Sequence, residues 1–256
     1  MNDARPQTAP AANASERRAD AERLASLVAA GTDALEQGDL RRALAAYQEV
    51  IDAFPDRPEG HNNLGALWAS LGEWSRAEAC FGRVVALLPD NPHVLYNRGV
   101  MRSHLGRHAD AGADFAAALG LSPHDPDLHN NLGVSHFLRG NSDGARRHLE
   151  TALRLRPDYA NALMNLCDVD EACGEPGRAV VRCQDFLAGH QDATVRRRLL
   201  ALHGSAGSAH LDAACATAES LLAAQPDDAA LRQHLGRLLG ARAALQEPVH
   251  RALAEA

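Results

Sequence analysis

Residues 58–91 read PEGHNNLGALWASLGEWSRAEACFGRVVALLPDN, and a shift of 34 positions brings the pattern back. Gly65, Gly99 and Gly133 share one phase. Gly72, Gly106 and Gly140 share a second, Ala77, Ala111 and Ala145 a third, and Pro89, Pro123 and Pro157 a fourth. A fixed period of this size marks stacked supersecondary units, each too small to bury its apolar face alone.

The phase assigns roles. With Pro58 as position 1, Leu64-Gly65 fall at 7 and 8, Trp68 at 11, Ala77 at 20, Phe81 at 24 and Pro89 at 32. Each unit reads as a helix A and a helix B joined by a tight turn. Gly72, Gly106, Gly140 and Gly174 sit at position 15, where helix A stops and the chain needs the left-handed region. Small residues at positions 8 and 20 let the two helices approach closely. The prolines at position 32 end helix B. Asn91-Pro92 and Asp125-Pro126 read as the N-cap and first residue of the next helix A.

These positions resemble the tetratricopeptide repeat, with its aromatic or Leu at position 4, Leu-Gly at 7 and 8, Tyr at 11, Ala at 20, Phe at 24 and Pro at 32. His61 and His129 depart from it at position 4. The resemblance implies an all-α fold: a right-handed α-solenoid of about six helix-turn-helix repeats plus a C-terminal capping helix.

The expected domains follow from the same register. Residues 1–14 read as a disordered N-terminal tail, and 15–228 as the repeat solenoid. Its units are 24–57, 58–91, 92–125, 126–159, 160–193 and a degenerate 195–228. Residues 229–256 read as a capping helix and tail. Leu231, Leu235, Leu238 and Leu239 form its apolar stripe, and Pro248 is expected to break it. The fifth unit decays, with Cys167 at position 8, Asp170 at 11, Cys183 at 24 and Gln191 at 32. Asp170 is the oddest of these, because position 11 normally packs. Either the helices splay there or the carboxylate has a partner.

Composition bounds the function. The chain has 256 residues and a formal charge of −7, which argues against nucleic acid or an anionic membrane as the main partner. No apolar run approaches the roughly 20 residues of a membrane span. The N-terminus has no apolar core segment of a secretory signal, so the expected location is cytoplasmic. All 26 basic residues are arginine, a composition expected of a GC-rich bacterial source. Without lysine there is no Walker A loop and no Schiff-base chemistry. The five cysteines include no CxxC pair, so neither a zinc site nor a disulfide framework is expected. The histidines lack a HExxH pattern, and packing is the better reading of His61 and His129. The expectation is a non-catalytic protein with no cofactor and no metal.

In the family that this chain resembles, helix A lines a concave groove, and positions 2, 5, 6, 9, 12 and 13 look inward. Carried over, these positions give Asn62, Asn63, Tyr96, Asn97, Val100, Asn130, Asn131, Val134, Phe137, Met164, Asn165, Asp168 and Glu171 as the candidate peptide-binding groove. Asn63, Asn97, Asn131 and Asn165 form a column with a 34-residue spacing. A side-chain amide both donates and accepts, so such a row can hold the backbone of an extended peptide. The column resembles the asparagine ladder of protein O-GlcNAc transferases. The alternative is that these asparagines only make local hydrogen bonds.

The expected function is protein–protein interaction: the groove holds an extended segment of a partner, apolar and followed by basic residues. Two other functions suit the same features. One is a substrate-recruiting partner of a separate modifying enzyme such as a glycosyltransferase. The other is a self-assembling structural scaffold.

Overall fold

The computed structural model describes residues 14–205 and 211–254. The described residues form thirteen α-helices and no strand. The chain divides into two compact units, Met1–Arg107 and His108–Ala256. The tail expected over residues 1–14 lies almost wholly outside the described residues, and residues 206–210 of the degenerate sixth unit lie outside them too.

The first unit contains α1 (Ala14–Glu36), α2 (Leu40–Ala53), α3 (Pro58–Ser70), α4 (Trp74–Leu87) and α5 (Pro92–His104). Each of these helices packs on the next. Ala34, Ala43, Tyr47, Leu64 and Leu67 make one buried cluster, and Ala77, Phe81 and Met101 make another.

The second unit contains α6 (His108–Leu121), α7 (Pro126–Leu138), α8 (Ser142–Leu155), α9 (Ala160–Ala172), α10 (Pro176–Gly189), α11 (Ala193–Ser205), α12 (Leu211–Ala224) and α13 (Ala229–Ala254). Consecutive helices pack, and α9 also touches both α7 and α11. Alternate helices therefore form a row of neighbours, which is the arrangement that a stack of helix A segments requires. The fold class is an all-α solenoid of helix-turn-helix repeats.

Local chemistry places the helix ends. Asn91 Oδ1 accepts from the backbone N–H groups of His93 and Val94, at 3.0 and 3.4 Å. Asp125 Oδ1 does the same for Asp127 and Leu128, at 2.8 and 3.3 Å. Each satisfies donors that the first helical turn leaves open. Between helices A and B, Gly38, Gly72, Gly106, Gly140 and Gly174 take φ from +72 to +77°. A side chain there would clash with its own backbone.

Tight packing explains the small residues at position 8. A Cβ on Gly133 would lie 2.8 Å from Leu149 Cγ, and one on Gly65 would lie 3.2 Å from the Phe81 ring. The last helices bury Leu200, Ala214, Leu221, Leu231 and Leu238 together, with Leu235 against them. Leu239, expected on this stripe, is exposed. Pro248 does not end α13, which continues to Ala254. Inside a helix a proline removes one hydrogen bond and can kink the helix without stopping it. None of the described helices is long and apolar enough to cross a membrane.

Candidate functional site

The two units carry separate parts of the expected groove. In the first, α3 holds Asn62 and Asn63, and α5 holds Tyr96, Asn97 and Val100, all half-buried. Val100 leans on the Ala77–Phe81–Met101 cluster.

In the second unit the candidates lie on the neighbouring helices α7 and α9. Asn165 Nδ2 donates to Asn130 Oδ1 at 2.8 Å, joining the two helices. Among the described residues, no further hydrogen bond engages the Asn130 amide N–H groups or the Asn165 carbonyl oxygen. Asn130 is itself 7% exposed. Asn131 behaves differently: its Nδ2 donates to the Asp127 carbonyl one turn earlier, at 2.9 Å. Val134 and Met164 are half-buried, and Phe137 packs against the cluster around Leu149 and Leu166. The asparagine column is thus not uniform. One member bridges helices, and another bonds to its own helix.

The acidic end of the candidate site has a cation supplied by the chain. Arg198 of α11 donates to Asp168 Oδ1 at 2.5 Å and also to Glu171. Arg198 was not among the expected residues, because the register slips by one at the sixth unit.

The question posed by Asp170 is answered by a partner. Its carboxylate is wholly buried between α8 and α10. Arg182 Nε donates to Oδ2 at 2.8 Å, and Arg146 Nη2 lies 3.1 Å from Oδ1 as an ion pair. Arg182 also donates to Glu150 at 2.6 Å, and Arg146 to Glu175 at 2.8 Å, where Arg178 joins. Three arginines thus balance three carboxylates. A cluster balanced in this way tolerates burial where a lone carboxylate would not.

A second cluster contains histidines. The Pro123 carbonyl can only accept, so His129 Nε2 donates to it at 3.1 Å. A neutral His129 then accepts at Nδ1 from His148 Nδ1, also at 3.1 Å. The tautomers are assigned from this network. His136 stacks on His148 with ring centroids 5.5 Å apart. Burial, then the neighbouring His129, His136 and Arg147, lower the His148 pKa to about 4. His136, His148 and Arg139 border an open pocket of about 660 Å³, otherwise walled mainly by Ala, Gly and Leu residues of α6 and α7. Among the described residues, no group of three or more His, Cys, Asp or Glu could hold a metal ion.

Three family models, each described as a tetratricopeptide repeat, match residues 28–79, 73–131 and 126–159. Residues 28–159 carry tetratricopeptide repeats. Solved structures of similar fold include MamA, with a TM-score of 0.62 at 21% identity, covering 66% of this chain and 92% of that one. PilW, a type IV pilus biogenesis factor, gives 0.66 at 19% identity, covering 83% and 98%. Pseudomonas aeruginosa pilF gives 0.62 at 18% identity, covering 86% and 99%. At such identities the likeness is one of fold. No curated protein matches the sequence. α7 is the A helix of a matched repeat and α9 and α11 continue its row, so the Asn130–Asn165 bridge and the Arg198 contacts both join neighbouring helices of that row.

Proposed function

We propose that the chain is a non-catalytic interaction module that holds an extended segment of a partner protein against its A helices. The observation that carries this reading is the Asn165-to-Asn130 hydrogen bond. It fixes two amides side by side on neighbouring helices, with a donor group and an acceptor oxygen left over. A peptide backbone offers the matching acceptor and donor at each residue. Val134 and Met164, on the same two helices, supply apolar contact beside the amides.

The partner is an apolar extended segment. A basic residue of the partner would have to compete with Arg198 for Asp168 and Glu171, so binding through that end is an exchange of ion pairs. The tetratricopeptide repeats support the interaction role. PilW, similar in fold, is a type IV pilus biogenesis factor.

The test is capture of partners from the source cell with the wild type and with Asn130→Ala/Asn165→Ala, after circular dichroism has shown equal helicity. A partner held by the wild type and lost by the double variant supports the site. The same partner held equally by both removes it.

A further inference from the structure

The fifth repeat departs from the four before it at two facing positions at once. In the second repeat these positions hold Gly65 and Phe81, and in the fourth Gly133 and Leu149, a small residue against a large one in each case. In the fifth they hold Cys167 of α9 and Cys183 of α10. Both side chains are 0% exposed, and their sulfurs lie 3.6 Å apart, in van der Waals contact. The pair fills the space that elsewhere takes a glycine and a large side chain.

We propose that Cys167 and Cys183 are a redox modification site: a thiol pair that closes to a disulfide when a hydroperoxide reaches it. The sulfurs must approach to about 2.05 Å, and the two helices that carry them are already packed together. The chemistry balances with hydrogen peroxide as the oxidant. One sulfur attacks a peroxide oxygen, the O–O bond breaks, and a sulfenic acid and one water form. The second sulfur attacks the sulfenic sulfur, the S–S bond forms, and the second water leaves. Two thiols lose two electrons and two protons, and the peroxide becomes two waters.

Burial sets the selectivity. Bulky thiol reagents are excluded until α9 and α10 separate, whereas peroxide is about the size of two waters. Of the other cysteines, Cys173 is exposed, and Cys80 and Cys215 are each placed in a different part of the chain. α9 also carries Asn165 and Asp168, so the bond would fix one wall of the proposed groove. That consequence rests on the groove reading, and the bond itself does not.

The experiment uses the full chain with Cys173→Ser, because Cys173 shares a tryptic peptide with Cys167 whereas Arg178 and Arg182 separate Cys167 from Cys183. The folded protein is treated with hydrogen peroxide, unfolded, alkylated with iodoacetamide and digested. The expected result is one cross-linked pair of peptides joining Cys167 to Cys183, an intact mass lower by two hydrogens, unchanged helicity and full reversal by a thiol reductant. Alkylation of both Cys167 and Cys183 after the treatment would overturn the proposal. So would a link to Cys80 or Cys215 instead, or a link that forms only when the protein is unfolded first.

Discussion

Arg182 Nε donates to Asp170 Oδ2 at 2.8 Å, and the carboxylate that accepts is completely buried. The pair stands where a tetratricopeptide repeat normally packs an aromatic ring. Removing one side of a buried ion pair leaves the other charge uncompensated, which is worse than removing both. Asp170→Ala is therefore expected to lower the unfolding free energy by about 3 kcal/mol, read from urea denaturation. Replacing Asp170 by Tyr together with Arg146→Leu and Arg182→Met should recover most of that loss. A single variant within about 0.5 kcal/mol of wild type would mean that the cluster contributes little.

Two glycines should respond to the same substitution with opposite signs. A Cβ on Gly133 would press on Leu149 Cγ at 2.8 Å and on the Ala145 carbonyl at 3.2 Å. The carbonyl belongs to a helix backbone and cannot turn aside, so Gly133→Ala should cost about 1–3 kcal/mol. Gly120, in α6, has nothing within 4 Å of its added Cβ. Gly120→Ala should stabilise by up to about 1 kcal/mol, since alanine is the better helix former. Denaturation midpoints of the two variants, compared at one temperature, decide the matter.

Arg198 lies between Asp168 and Glu171 of the neighbouring helix. Arg198→Ala leaves those two carboxylates without their shared cation. Asp168 is half exposed, so solvent screens the pair and the expected loss is about 1 kcal/mol at low salt. The loss should shrink in 1 M sodium chloride, where charges are screened within roughly 3 Å. An effect that stays the same size in high salt would mean that the arginine's stem, not its charge, holds the helices together.

The repeat was legible because its determinants are local. Each glycine with φ near +75° and each Asn or Asp cap acts within a few residues, and the 34-residue spacing places them. What was not legible depends on contacts at a distance. Asp170 announced only that something unusual was needed. Arg146 and Arg182, which answer it, lie on the helices to either side, on faces where an arginine is ordinary. Asn131 and Asn165 occupy the same position in their repeats, yet one bonds its own backbone and the other bonds Asn130. That difference depends on which neighbouring group each amide meets, which a repeat pattern does not carry. Pro248 shows the limit of a local rule, since the helix around it continues.

The histidine cluster should make stability depend on pH. An imidazole in the unfolded chain takes up a proton near pH 6.5, whereas His148 in the fold holds out until about pH 4. Between these values the unfolded state binds more protons, so stability falls as the pH drops from 6.5 and levels off below about 4. His136 is lowered for the same first reason, burial, and adds in the same direction. Arg139 and Arg147 face the cluster, and a proton on either ring would add a like charge beside them. Thermal midpoints taken at half-unit steps from pH 4 to 8 should decline on the acid side. His148→Gln should flatten that decline, because its side chain cannot take up the proton. An equal slope in the variant and the wild type would place the acid sensitivity outside these rings.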